Sequence, residues 1–546
     1  MGILFSYPDS RIVGTTCGSV QGRRLIYKGD KQVDAFQGIP FAKPPVGDLR
    51  FRKPEPPEKW EGVKATKKFA RRPYQAPFFY IDNLIRGCPS EDCLYLNVFT
   101  PCWEPPKEGC PVMMFIHGGG FEIGDTISYG DRNICENIVT RDVIFITIQY
   151  RLGYLGFFST EDEACPGNLG LWDQVAALKW VNENIEAFGG NKNNITVLGQ
   201  SAGGVSTDML HISPHSTGLF HKMIPMAGNA HLAVIASNRN MALHSKKKVA
   251  RLGISDYKNS FELLEKLRRI SASKFLEPVK LFRKKNPEEP EFGMFETVPN
   301  LDDRDFFPDT VDELRKRAIP KPLMTGITRE EGTLFVLTKK CTEQSLNEVI
   351  SLTCCEARNK DKLAQELRIL YVNETLEDSK EKFSTAIVEV ASDYYMNAGT
   401  LQLCRNTVAT QDKPAYLYIL DHFNPKVMGI LAWFMPIKLA THGGELTYLF
   451  NKGFFGKYPS MTKEDQTVMD AFVTSFTNFA KYGNPNGSDP SHSELPTEWT
   501  QVTKENPGRS YVLTGEKNYM REDFFQGRTA KFIEILAKHR STTSDE

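Results

Sequence analysis

Residues 199–204 read Gly-Gln-Ser-Ala-Gly-Gly, a serine between two glycines with a third glycine directly after. A serine hydroxyl is a weak nucleophile at neutral pH. It reacts when a base takes its proton and when donors stabilise the oxyanion that forms. The same six residues would also serve as a small-residue loop, so the rest of the chain decides. Upstream, His-Gly-Gly-Gly-Phe at 117–121 offers backbone N–H groups that no side chain shields. Taken alone, that stretch reads equally well as a flexible turn. Downstream, Glu330 and Glu331 precede Gly332, and His442 stands in Thr-His-Gly-Gly-Glu-Leu. Nucleophile, carboxylate and base are the parts of an acyl-transfer site. The chain has ten histidines, so residue type alone does not single out His442.

These residues act only if strands and turns hold them together. "VMMFIH" from Val112, "VIFITIQY" from Val143 and "ITVLGQ" from Ile195 are apolar, β-branched runs of the kind that form buried parallel strands. Between the last two, Leu171, Val175, Leu178, Val181 and Ile185 recur at helical spacing, and Gly189–Gly190 stop the helix. Strand, helix, strand implies a right-handed crossover and a parallel sheet. Ser201 therefore falls between the strand Ile195–Leu198 and a helix over "AGGVSTDMLHI". That is the strand–turn–helix setting of a nucleophile elbow, where flanking side chains would collide with neighbouring backbone. Residues from about 230 to 320 read as a charged helical insertion over the sheet within a single domain spanning 1–546, and "KFIEILAKHR" reads as a closing helix.

The motifs together resemble the type-B carboxylesterases, the carboxylesterase/cholinesterase family of the α/β-hydrolase fold. The resemblance runs from "FQGIPFAKPPVGDLRF" through "SEDCLYLNV", "HGGGF", "YRLGYLGF", "GQSAGG" and "EEGTLF" to "HGGEL". It implies an α/β fold: a central, mostly parallel twisted sheet flanked by helices, with helical insertions over the active-site gorge. It implies Ser201 as nucleophile, Glu331 as triad acid, with Glu330 as the neighbouring alternative, and His442 as base. Gly119, Gly120 and the N–H of Ala202 match the oxyanion hole. Arg50 with Glu91, and Arg151 with Asp173, match structural ion pairs.

Four departures from the family pattern refine the expectation. Gln200 stands where many members carry Glu, which removes a charge beside the nucleophile and favours neutral esters over cations. Asn83 stands where cholinesterases carry the tryptophan that holds a quaternary ammonium, and a cation needs an aromatic face to be held that way. Ala227 replaces a serine that often bonds the triad acid, and Leu439 replaces a glycine near the histidine. The eleven cysteines cannot all pair internally, and the partners of both family bridges are missing. Free thiols fit a reducing compartment, and the N-terminus shows no secretory signal, so the expected location is cytoplasmic. The sequons at Asn194, Asn373 and Asn486 then read as chance matches.

Lys plus Arg equals Asp plus Glu at 67 each, so no basic excess points to a nucleic-acid partner. No apolar run reaches the roughly 18 residues of a membrane span; the nearest, "VMGILAWFMPIKLA", is broken by Pro436. Met1-Gly2 with Ser6 completes a myristoylation pattern at Gly2, which implies weak, reversible membrane contact. The expectation is a serine esterase that cleaves neutral carboxylic esters through an acyl-enzyme and needs neither metal nor organic cofactor. Two alternatives stand beside it: an inactive adhesion or scaffold relative, and a lipase for longer-chain glycerides.

Overall fold

A computed structural model of the chain describes residues 7–26, 28–77, 82–232, 241–277, 296–337, 340–354, 357–372, 380–410, 412–453, 456–457, 461–489 and 491–539. Its centre is one 13-stranded sheet. In chain order the strands are β1 (Asp9–Thr15), β2 (Gly18–Ile26), β3 (Val33–Pro40), β4 (Val63–Ala65), β5 (Tyr95–Pro101), β6 (Cys110–Ile116), β7 (Ile144–Ile148) and β8 (Gly190–Gln200). They continue with β9 (Lys222–Met226), β10 (Leu323–Thr328) and β11 (Ala415–Leu420). Next come the separate small pair β12 (Lys452–Gly453) and β13 (Gly456–Lys457), and last β14 (Ser510–Leu513) and β15 (Tyr519–Arg521).

The spatial order is β1-β2-β3-β5-β7-β6-β8-β9-β10-β11-β14-β15, with β4 beside β2. From β7 through β14 every neighbouring pair is parallel. The flanks β1-β2-β3-β5-β7 and β14-β15 are antiparallel. A parallel block must be covered on both faces, because its crossovers lay helices there. Side chains alternate along each strand, and the alternation divides the core. In β6, Val112, Met114 and Ile116 face one layer, and Met113 and Phe115 face the other. Helix Leu169–Asn184 and the elbow helix Ala202–Ile212 fill the first layer with Leu171, Val175, Leu178, Val181, Val205 and Met209. Helix Lys463–Tyr482 fills the second with Val468, Phe472, Phe476 and Phe479.

The expected helix after "NLG" ends at Asn184. Its last turn tightens into a 3₁₀ segment, Ile185–Phe188, before Gly189 reverses the chain at φ +87°. The charged stretch near 230–320 holds helices Met241–Arg251, Ser260–Arg268 and Val311–Arg317 among its described residues. A second helical block between β10 and β11 was not singled out from the sequence: Glu343–Thr353, Lys360–Tyr371, Lys380–Ser392 and Ala398–Thr410. Leu346, Ile350, Leu363, Leu367 and Ile387 close a core of their own there, against Phe532 of the closing helix Arg528–His539.

Two ion pairs pin the loops around this frame. Arg151, at the exit of β7, grips Asp173 of helix Leu169–Asn184 through two nitrogens at 2.7 and 2.8 Å, and both side chains are buried. Arg50 grips Glu91 at 2.6 Å through each of two nitrogens and donates to the carbonyls of Leu267, Arg268 and Ile270. It thus ties the N-terminal loops to the end of helix Ser260–Arg268. The ten cysteines among the described residues are free thiols. No helix among the described residues is long and apolar enough to cross a membrane.

Candidate active site

Ser201 follows β8 directly and precedes the first residue of the elbow helix. Its backbone sits at φ +58°, ψ −124°, a region L-residues rarely enter. Its N–H donates to the Met226 carbonyl at the end of β9, and its own carbonyl accepts from Val205 in the helix. Strand and helix therefore fix the turn from both sides. The close packing explains the glycines: a Cβ on Gly203 would lie 2.0 Å from the Ile116 carbonyl oxygen at the end of β6.

The His-Gly-Gly-Gly loop leaves β6 beside this turn. A Cβ on Gly118 would stand 3.0 Å from the Ser201 Cβ, so the loop backbone lines the serine. Gly119 adopts φ +113°, and its carbonyl accepts from the N–H groups of Glu122 and Ile123. Tyr150 Oη donates to the His117 carbonyl at 2.9 Å and anchors the start of the loop. The N–H groups of Gly119 and Gly120 donate to no group among the described residues. Ala202 is the first residue of its helix, where an N–H has no acceptor within the helix. The dipole of that helix adds positive potential at the same point.

Base and acid arrive from the ends of the next strands. Glu331 opens a 3₁₀ turn just after β10, and His442 lies in the loop that follows β11. His442 Nδ1 and Glu331 Oε2 are 2.6 Å apart, with the carboxylate fully buried. The other oxygen, Oε1, accepts from the Thr328 N–H at 2.6 Å. The two loops interlock: Glu330 N–H donates to the Ala440 carbonyl, and Leu334 N–H to Thr441 Oγ1. Of the adjacent acids, the structure sets Glu331 on the histidine and turns Glu330 elsewhere. Ala227, where a serine was noted as missing, is buried at φ +44°. Thr328 and His442 already occupy both oxygens of Glu331, so no acceptor is stranded by that methyl.

Gln200 fills the remaining side of the base. Its Nε2 lies 3.3 Å from His442 Nε2. With Nδ1 donating to Glu331, Nε2 carries the lone pair and faces the amide at this long distance, a contact that opens when Nε2 takes the Ser201 proton. No hydrogen bond joins Ser201 Oγ to His442 among the described residues; such bonds commonly tighten only once substrate is bound.

The sequence reading missed several residues here. Phe335 lies 5.1 Å from the His442 ring and stacks on Tyr395 at 4.4 Å. Tyr395 belongs to a π-helical turn, Asp393–Asn397. Ser392, immediately before that turn, accepts from the Gly332 N–H. Glu445, in the "HGGEL" stretch, is fully buried, with the Gln200 side chain and the Gly443 backbone beside its carboxyl. Burial, and then the charge of Glu331, push the Glu445 carboxyl well above its usual range and so favour its neutral form. An aromatic ring tilted against the base leaves no spacing signal in sequence. Glu445 was legible as a motif residue, but its burial was not.

Asn83 lies in the short helix Asp82–Arg86, and its Oδ1 accepts from Arg72. Asn486 is buried and donates to the Trp499 carbonyl, and Asn194 lies in β8. Gly2 and Asn373 lie outside the described residues. No group of three or more His, Cys, Asp or Glu residues among the described residues could hold a metal ion.

Comparison with known proteins adds to this geometry. Residues 9–531 match the carboxylesterase family. The chain is 37% identical to Esterase cest-33 of Caenorhabditis elegans over 540 residues, which covers 95% of this chain and 93% of that protein. It is 34% identical to juvenile hormone esterase of Tribolium castaneum, covering 92% of this chain and 87% of that one. It is 32% identical to human cocaine esterase, covering 89% and 86%.

Glu330 supplies a test of the packing beside the site. Burial pushes its carboxyl up to about 7, against the pull of Arg528. A raised folded value means stability is full below the unfolded value near 4.5 and falls as pH rises through about 7. Glu330→Gln should therefore leave stability near pH 4 unchanged and raise it near pH 8 by up to about 3 kcal/mol. Denaturant midpoints at the two pH values measure this. An equal shift at both would show that Glu330 is not buried as an acid.

Proposed function

The chain belongs to the carboxylesterase family and is a carboxylic ester hydrolase; from that premise we propose that Ser201, His442 and Glu331 perform the reaction and that neutral esters are preferred. Ser201 Oγ attacks the ester carbonyl carbon while His442 Nε2 takes its proton. Glu331 stabilises the imidazolium through Nδ1. The N–H groups of Gly119, Gly120 and Ala202 hold the oxyanion. As the tetrahedral intermediate collapses, His442 gives its proton to the departing alkoxide oxygen and an acyl-Ser201 ester remains. Water then attacks that ester, His442 accepts the water proton, and Ser201 leaves as the alcohol.

The observation that carries this reading is the 2.6 Å contact between His442 and Glu331, on a loop pair tied to the strained Ser201 turn by Gln200. The scaffold alternative is not favoured, since serine, acid and base are all present and the relatives are esterases. Two features support the neutral preference. Gln200 places an uncharged amide beside the base, and Asn83 gives no aromatic face to a cation. Cocaine and juvenile hormone are unlike esters, so the reading concerns the reaction and its polarity, not one named substrate. A lipase for longer-chain glycerides is the same chemistry on a longer acyl chain, and a graded acyl series separates the two. The lipidation pattern at Gly2 supports a cytoplasmic enzyme with weak membrane contact. Intact mass of protein from a eukaryotic host tests that, and an unmodified Gly2 would refute it.

Ser201→Ala should lower kcat by about 10⁴-fold or more, since triad members act as a unit. A variant keeping a tenth of wild-type turnover on a soluble ester would remove Ser201 from the mechanism.

The polarity preference has its own test. For one acyl group, kcat/KM should be higher on a neutral alkyl ester than on the choline ester, and Gln200→Glu should narrow the gap. A wild-type preference for the choline ester would contradict the role given to Gln200 and Asn83.

A further inference from the structure

Most exposed apolar side chains among the described residues stand singly, Ile369 among them, but four of the five most exposed form two adjacent pairs. Trp433 is 81% exposed and Phe434 60%, next to each other in the chain. Leu84 is 86% exposed and Ile85 61%, again adjacent. Trp433 ends the 3₁₀ turn Gly429–Trp433, and Pro436 follows closely. The residues on either side of the aromatic pair point inward: Ala432 and Met435 are buried against Leu334 and Leu337. The pair is thus mounted on the segment that carries Glu331. A mobile coil would not need such a mount. Two aromatic rings held in water on a fixed support have a standing desolvation drive.

A run of contacts leads from the second exposed pair toward the first. Arg86, next to Ile85, reaches Asp125 at 3.9 Å. Both groups act electrostatically on Lys452, whose Nζ donates to the Ile127 carbonyl at 3.3 Å. The turn Pro425–Met428, which leads to Trp433, packs against the strand that starts at Lys452. Asp125 in turn lies behind the His117–Gly118 loop, where its charge reaches the buried His117 ring. That loop lies on the side of the sheet on which Ser201 and His442 emerge.

Charge decides the occupant. From His422 to Gly444 the chain contains no acidic residue, and Lys426 and Lys438 are both exposed. An aromatic pair between two lysines has the chemistry of an interfacial anchor: rings at the level of lipid headgroups, ammonium groups on their phosphates. We propose that the Trp433–Phe434 turn, with Leu84 and Ile85, docks the enzyme on an anionic lipid–water interface, with its site mouth toward the apolar phase. The proposal concerns binding only and does not depend on which residues perform hydrolysis. It is also separate from acylation at Gly2, to which it would supply the second signal that a single acyl chain needs for stable attachment.

The test uses the full-length chain made in a bacterial host, so that Gly2 carries no acyl group. Flotation is measured with vesicles of phosphatidylcholine alone and of phosphatidylcholine with phosphatidylglycerol. The protein should float with the anionic vesicles and less with the neutral ones, and added salt should weaken the binding. Trp433→Ala/Phe434→Ala should lower the partition coefficient at least about tenfold, and Lys426→Gln or Lys438→Gln about fivefold each. Turnover of a short, water-soluble ester should be unchanged in all of them. Absence of wild-type flotation with either vesicle would overturn the proposal. So would undiminished flotation of the aromatic double variant. A wild-type dimer that the double variant converts to monomer would also overturn it, because the patch would then cover a second copy.

Discussion

The backbone of Ser201 is the constraint around which the rest is arranged. An L-residue at φ +58°, ψ −124° costs on the order of 1–3 kcal/mol and persists only where its surroundings over-determine it. Here β8 ends on one side, the elbow helix begins on the other, and the N–H is bonded across to β9. The conformation projects Oγ out of the turn and turns the start of a helix toward it. It also explains the small residues nearby. Gly199 and Gly203 meet so closely that a Cβ on Gly199 would lie 2.3 Å from the Gly203 carbonyl oxygen. The parallel block β6-β8-β9 must be rigid and two-faced to hold this turn, which is why both its faces are packed with apolar side chains.

Electrostatics around the base follow from the same burial. Three glutamates, Glu330, Glu331 and Glu445, lie in or beside the loops that follow β10 and β11, and only Glu331 is bonded to the histidine. Like charges in a dry site cannot all ionise, and the structure resolves the conflict by position. Glu331 keeps partners on both oxygens, whereas burial raises the Glu445 carboxyl well above its usual range and pushes Glu330 up to about 7. Gln200 fits this scheme. A glutamate there would add a further acid beside Glu445, whereas the amide faces the lone pair of His442 at no cost in charge.

How much of this could be read from the chain follows from the type of physics involved. Apolar periodicity exposed helix Leu169–Asn184 and the central strands, because burial against a sheet imposes it. The elbow was readable because glycine is demanded by close approach, and close approach leaves a spacing. The order Ser201, Glu331, His442 was readable through the family resemblance and not from periodicity. Contacts across the fold were not: Phe335 against His442 and Gln200 on Nε2 depend on loops brought together from distant parts of the chain. The helical block Glu343–Thr410 carries Leu346, Val349 and Ile350 at helical spacing, but its helices are short and close a small core of their own, so their place in the fold leaves no mark in the sequence. The segment "VMGILAWFMPIKLA" has the composition of a membrane span. Its length excludes such a span, and its exposed aromatic pair emerged only with the fold.

The central claim is that Ser201 is the atom on which the acyl group rests. A fluorophosphonate ester reacts with an activated serine and leaves a stable phosphonyl adduct, so peptide mapping after labelling reports the nucleophile directly. The account predicts one adduct per chain, on the peptide containing Ser201, and its loss when His442→Ala removes the base. An adduct on any other serine, or labelling of Ser201 that is equally fast without His442, would contradict it.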